Sequence, residues 1–343
     1  MTQQDASLGI GREGAYGIGV TPTAFPEYLT ESLKWKPEFK QGQGLRVGSR
    51  LARAPRRALV KQQAEGDIEL ELATKGLGKF FEAWLGSGVS TAVPGQAGAF
   101  QQLYTPATQD PANSYTIQKG LPWVGGAAAQ PVTFRGGLCT SGELTAALAD
   151  IVKLKTSWNF RDVDTATAYA PPSYATGVEL LTFVHGSISI GGTVTMPTAT
   201  ALATGGTPAA NIKDFSFSFD NKLDDGGFTF GNGGKRGRKP VFGSVGEGKG
   251  KLTAEYTDNV LRDAYLSQAD LSLVLTFKTA TLIGASALNP TVQVVLPDIR
   301  LNGDIPQTNG GAPVSLPVDF DILDGLNAGS PIYVAVVTSD TAI

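Results

Sequence analysis

Apolar and polar residues alternate along much of the chain with the period of two that half-buried strands require. Leu33 and Trp35, then Phe39 after Pro37, alternate in ESLKWKPEF. In GDIELELAT, Ile68, Leu70 and Leu72 alternate with Asp67, Glu69 and Glu71. The period then changes. With Thr74 as N-cap, the spacing of Leu77, Phe80, Phe81, Trp84 and Leu85 predicts a short amphipathic helix near 75–85, closed by Gly86. Residues 87–113, rich in Gly, Ala, Pro and Gln, read as a surface loop. Strands resume at SYTIQKG, VTFRGG and IVKLKTSWNF, before a turn-rich stretch from Asp162 to Gly177.

The same order then returns. Phe215, Phe217 and Phe219 alternate in KDFSFSFDN, and a glycine-rich basic stretch comes next, as one did after Phe39. GKGKLTAEYTDNVLRDAYLS predicts a strand, a cap at Thr257 or Asp258, and a helix near 258–267 facing inward through Val260, Leu261, Ala264 and Tyr265. Placing Gly66 on Gly250 puts Ile68 on Leu252, Glu71 on Glu255, Leu77 on Leu261 and Phe81 on Tyr265. Val152, Leu154 and Trp158 are echoed by Val314, Leu316 and Phe320. The expected fold is mainly β: two tandem domains, 1–165 and 177–343, joined by a linker at 166–176. Each is an antiparallel sheet or sandwich packed with one short α-helix.

Composition narrows the chemistry. Of 343 residues 41% are hydrophobic, enough to bury a core, and 43 are glycine, which favours turns and strands. A net charge of −3 gives no global pull toward nucleic acid or anionic membrane. No apolar run approaches the ~20 residues of a membrane span, and MTQQDASLGIGREG lacks the layout of a secretion signal. The lone Cys139 and lone His185 exclude an intrachain disulfide and a Cys/His zinc site. His185 reads as a strand residue and Cys139 as a buried thiol. Gly9, Gly11 and Gly14 fit a dinucleotide fingerprint, but no strand of sufficient length precedes them, and Pro22 and Pro26 stand where the helix of such a site would run. GNGGKRGRKP lacks the spacing and the hydroxyl of a phosphate loop. Neither a catalytic residue, a cofactor nor a metal site is expected. Carboxylates remain the only abundant catalytic type, and a glycan hydrolase would need two of them converging in an aromatic cleft. Asp224–Asp225 and Asp319–Asp321 lack such surroundings, so this reading ranks second, beside a β-rich host-binding adhesin.

Charge is placed unevenly. Between Lys34 and Gln62 there are nine Lys or Arg and one acid, Glu38; between Lys235 and Lys251 there are six and one, Glu247. From Asn289 onward there are six aspartates and one basic residue, Arg300. The pattern suits either solvated loops or complementary surfaces between copies.

GIGREGAYGIGVTPTAFPEYLTESLKW resembles the opening of major tail tube proteins of long-tailed, non-contractile bacteriophages. EGDIELELATKGLGKFFEAWLGS and GKGKLTAEYTDNVLRDAYLS resemble that family's strand-then-helix elements, and VVLPDIRLNGDIPQTNGGAPVSLPVDFDIL with IYVAVVTSD its closing strands. The resemblance implies a structural, non-enzymatic virion protein, made in the bacterial host cytoplasm and assembled into the tail. Sheets of neighbouring copies would join edge to edge into rings, of three chains with pseudo-sixfold symmetry or of six. The rings would stack as a conduit for DNA ejection, with the tape measure protein inside beforehand and tail tip and tail terminator proteins at the ends. DNA would pass without specific binding.

By position, the family's inter-ring loop matches the stretches carrying Arg46, Arg50, Arg53, Arg56 and Arg57, and Lys235, Arg236, Arg238 and Lys239. Both are expected to stay mobile in the monomer and to bind acidic and backbone acceptors of the next ring rather than DNA. Asp67, Glu69 and Glu71, with Thr253 and Glu255, alternate with core residues and are expected to line the lumen. There acids and hydroxyls would repel phosphates and let DNA slide.

Overall fold

A computed structural model of the protein describes residues 2–126, 128–209, 211–303, 305–306, 310 and 314–343. A 3-10 turn at Gln3–Asp5, where the Thr2 amide donates to Asp5 Oδ2 at 2.6 Å, leads into β1 (Ser7–Arg12). β2 (Thr30–Glu31) and β3 (Lys34–Gln41) run out to a projecting loop from which β4 (Arg57–Glu71) returns. After α1 (Gly78–Leu85) come the hairpin β5 (Gly86–Ala92) and β6 (Phe100–Pro106), then β7 (Tyr115–Leu121), β8 (Gln130–Ala146), β9 (Lys153–Phe160) and β10 (Asp162–Asp164). The second half opens on another 3-10 turn, Phe183–His185, where the Thr182 amide donates to His185 Nδ1 at 3.2 Å. His185 therefore caps a turn rather than lying in a strand. β11 (Gly186–Ile190), β12 (Val194–Thr195), β13 (Thr204–Gly205), β14 (Ile212–Asp220) and β15 (Glu247–Glu255) come next. The chain closes through α2 (Val260–Ser267), β16 (Leu271–Lys278), β17 (Thr291–Asn302), β18 (Ser315–Leu323) and β19 (Tyr333–Thr338).

The protein is mainly β and antiparallel, as expected. Eight strands lie side by side in the order β3, β4, β9, β8, β14, β15, β18, β17, so one sheet runs across both halves of the chain. Alternation decides its faces: Ile68, Leu70, Leu154, Trp158, Phe217, Leu252, Val318 and Phe320 all point to one buried side. Burying each such side chain contributes about 2 kcal/mol by area. Gly66 stands opposite Trp158, and Gly250 opposite Phe320. A Cβ on Gly250 would overlap the Phe320 ring, and one on Gly66 would come within 2.6 Å of the Ser32 carbonyl oxygen.

β8 and β17 each serve a second layer. The first part of β8 pairs with β7, which pairs with β1. Gly136, at φ +65, lets β8 bend between the layers, and its amide donates to the buried Glu13 carboxylate at 2.8 Å. Gly17, Ser114 and Thr116 donate to the same carboxylate, which thus ties the chain's opening to that bend. In the second half β17 pairs with β16, and β16 with β11. Gly9 and Gly11 pack beneath Phe25, Pro22 and Val20, which suits a crowded strand rather than a cofactor loop.

Three local expectations shift. The first helix starts after Leu77, because the Thr74 hydroxyl accepts from the Glu179 amide and Gly76 turns the chain at φ +81. The second has Asn259 as its N-cap, while Asp258 accepts from the Val260 amide at 2.9 Å. The stretch 87–113 holds β5 and β6, which pair with each other and dock on β19. Its small and amide side chains carry little apolar period, and its partner strand lies in the other half of the chain.

Candidate functional site

The solvent-facing side of the eight-stranded sheet carries Asp67, Glu69, Glu71, Thr253 and Glu255, each half-buried beside inward-facing neighbours. Lysines interleave with them. Lys155 stands opposite both Glu69 and Glu143, Lys153 opposite Glu71, and Lys249 and Lys251 opposite Asp321 and Asp319. Ion pairs cross the face at Lys155–Asp67 (3.3 Å), Lys36–Glu65 (2.6 Å) and Lys213–Glu255 (2.6 Å). Lys222 and then Lys249 hold the half-buried Glu247 carboxyl down to about 2. The face is thus a charge-alternating surface, whereas the sequence pattern led to acids and hydroxyls alone. The lysines were legible in IVKLK and GKGKL, but only the strand pairing puts them beside the acids.

The loop between β3 and β4 projects beyond the sheet. Pairing of β4 with β9 ends at Ala64 and Phe160, while β3 and β4 continue together to Gln41 and Arg57. Glycines at 42, 44 and 48 space this arm, and Arg46, Arg50, Arg56 and Arg57 are exposed, with Arg53 half-buried. Among the described residues none of these five arginines has an ion-pair partner; Arg57 lies over the Phe39 ring at 4.7 Å. Leu45, Val47 and Leu51 on the same arm are also left in solvent.

The second basic stretch is arranged otherwise. Arg236 is fully buried, donating to Asn159 Oδ1 (2.6 Å), to the Gly226 carbonyl (3.1 Å) and to Asp225 (2.8 Å), with Phe228 beneath its guanidinium. Lys235 pairs with the buried Asp162 at 2.6 Å, and Arg238 with Asp224, whose carboxyl it lowers. Lys239 donates to the Ala112 carbonyl at 2.9 Å. Gly234 and Gly233 accept from the Gln62 amide and side chain. This loop is therefore folded onto its own chain, where it props the root of the first arm. The free, mobile arrangement expected for it is not what the structure has: the acceptors it needs lie at Asn159, Asp162 and Asp225 of the same chain.

The join between the halves is β8 against β14, with Leu144 opposite Phe217. α1 covers this join. Trp84 lies over Gly142, packs at a tilt against Phe217 at 5.1 Å between ring centroids, and donates to the Phe219 carbonyl at 3.0 Å. α2 has no such cover: Leu261 is its one buried residue among those described, and Val260 and Leu266 are exposed. At the far edge of the sheet, β3 pairs with β4 alone among the described residues and leaves Trp35 46% exposed and Phe39 41% exposed.

A sequence-family model described as phage tail tube protein matches residues 3–322 of the chain. No curated protein matches it.

Proposed function

The chain belongs to the phage tail tube protein family, a structural component of the virion tail, and from that premise we propose how its copies join. The two halves are repeats of one unit, and the β8–β14 join inside the chain is the template for the join between chains. In that reading the Asn302 end of β17 in one copy meets β3 of the next, and α2 covers the new join as α1 covers the old one. The observation that carries this is the complementary exposure at the two ends of the sheet. Val260 and Leu266 lie open on α2, and Trp35 lies open on β3, whereas Trp84 of α1 is seated on the Phe219 carbonyl within the chain. Pairing also removes the hazard of an open sheet edge.

The register supports ring closure. Gly66 and Gly250 occupy matching places, yet Gly250 lies on the line that runs from Leu70 through Leu154, Leu144 and Phe217, four residues further along. A stagger of four residues for every four strands tilts strands by about 35° to the axis of a closed barrel. Six such units, from three chains, close at a diameter of about 45 Å across the backbone. The interior would present the charge-alternating face, on which DNA phosphates find no continuous basic track to release counterions. Stacked rings of this kind form the conduit for DNA ejection, holding a tape measure protein beforehand and meeting tip and terminator proteins at the ends.

Extending the Ser141–Asp220 pairing to the next copy places Asn302 opposite Lys36. With Cys139 replaced by alanine, Lys36→Cys together with Asn302→Cys should give disulfide-linked trimers on a non-reducing gel and rings in negative stain. Linked pairs that never close, or no linkage in a protein that still forms rings, would refute the join.

A further inference from the structure

Glycines on the helix-facing side of the eight-stranded sheet stand opposite aromatic side chains. Gly66 faces Trp158, Gly142 faces Phe219 and Gly250 faces Phe320. A ring lying across from a glycine covers the backbone that the missing side chain leaves bare. Trp84 covers Gly142 a second time, since a Cβ there would come within 2.5 Å of its indole. Gly303, just past β17, has no such cover. Among the described residues, a Cβ on it would meet only the Pro317 carbonyl oxygen, at 3.8 Å. Trp35 is the converse case: it shares the helix-facing side of β3 with no glycine opposite, and 46% of its surface is in water.

We propose that Gly303 of one copy and Trp35 of the next make the missing pair, and that this tryptophan anchors the join between chains. The proposal rests on the ring reading above and names the side chain on which the strength of that join depends. Three features support it. The first is register. Cys139 and Leu301 match across the halves because they face Trp158 and Phe320, so Ser141 matches Asn302 and Gly142 matches Gly303. Trp35 and Phe219 match because they face Ala64 and Gly248. The pair Gly142–Phe219 inside the chain therefore becomes Gly303–Trp35 between chains. The second is volume. With Leu77 placed on Leu261, Trp84 falls on Gln268, so α2 brings no ring to the outer join. The larger ring stands on the strand instead, tryptophan at 35 where the internal join has phenylalanine at 219. The third is polar fit. Inside the chain Asn221 donates across the join to the Cys139 carbonyl at 3.3 Å. Its counterpart Pro37 has no side-chain donor, and the matching Leu301 carbonyl already accepts from Gln268 of its own chain at 3.4 Å. Each end of the sheet thus fits the other end, as a heterologous contact requires.

The test uses the full chain. Of its four tryptophans Trp84 and Trp158 are buried, so Trp123→Phe leaves Trp35 as the exposed reporter. In that background emission should move to shorter wavelength as rings form, because the indole leaves water. Trp35→Ala should barely move the monomer's urea midpoint, yet ring formation should need at least about thirtyfold more protein. Trp35→Phe, which imitates Phe219, should recover most of that loss. Rings from Trp35→Ala at the wild-type concentration would overturn the anchor and leave the ring reading intact. So would unchanged emission while the Lys36→Cys, Asn302→Cys chains link into rings. Absence of that linkage in chains that still form rings would sink the join itself, and the anchor with it.

Discussion

Arg56 and Arg236 both sit in glycine-rich basic loops, yet Arg56 stands in solvent and Arg236 has no exposed side-chain surface. Among the described residues the arginines of the first loop have no ion-pair partner, and the loop extends as an arm. The second lies over Asn159, Asp162 and the turn holding Asp224 and Asp225, and it folds down. A guanidinium goes where acceptors match its fixed fork of donors. The mouths between inner and outer strands of the two halves differ in the same manner, the first closed by the Lys119–Glu31 ion pair and the second left apolar by Leu275 and Phe215. Local composition thus allows several fates, and the neighbouring elements select among them.

The largest effect is expected at Arg236. Arg236→Ala strands the Asn159 and Gly226 acceptors and empties the space over Phe228, so the monomer should lose about 3 kcal/mol of stability. Arg56→Ala should change it by less than about 0.5 kcal/mol. Urea midpoints of the two variants measure the difference, and equal losses would break the comparison.

At the closed mouth, Lys119→Leu leaves Glu31, with only 18% of its side chain exposed, without its cation. A loss of about 2 kcal/mol is expected, and adding Glu31→Phe to imitate the second half should recover most of it. A double variant no more stable than the single one would show that the two mouths are not interchangeable.

The smallest effect concerns Glu247, which occupies in the second half the place of Gln63 in the first by the Gly66–Gly250 alignment. Its carboxyl lies well below the usual 4.5 in the folded chain, so folding favours the ionised form. That contribution is complete above pH 4.5 and disappears as pH falls through about 2. Glu247 keeps 42% of its side chain in solvent, so the effect should be slight. Thermal midpoints of the wild type should therefore fall slightly more steeply across this window than those of Glu247→Gln. Identical slopes would show that the pairing with Lys222 and Lys249 does not hold in solution.

Much of the fold was legible in the sequence, in definite places. The alternation in GDIELELAT and KDFSFSFDN marks strands, and the aromatic stripe from Leu77 to Leu85 marks a helix. The pair β5 and β6 was hidden, since its stability comes from β19, more than two hundred residues away in the chain. The arm at 42–56 could be seen as basic and glycine-rich, but the folding of the second loop could not, because Arg236 meets Asn159 across a separation of 77 residues.

The amino-acid sequence by itself determined which side chains share a face. Side-chain direction alternates along a strand and repeats every 3.6 residues along a helix whatever lies nearby. Only the tertiary structure decided what covers each face: α1 over the join of the halves, α2 and Trp35 left open, one basic loop buried and the other projecting. Those outcomes depend on acceptors, volumes and edges brought together from distant parts of the chain, and a local pattern carries no record of them.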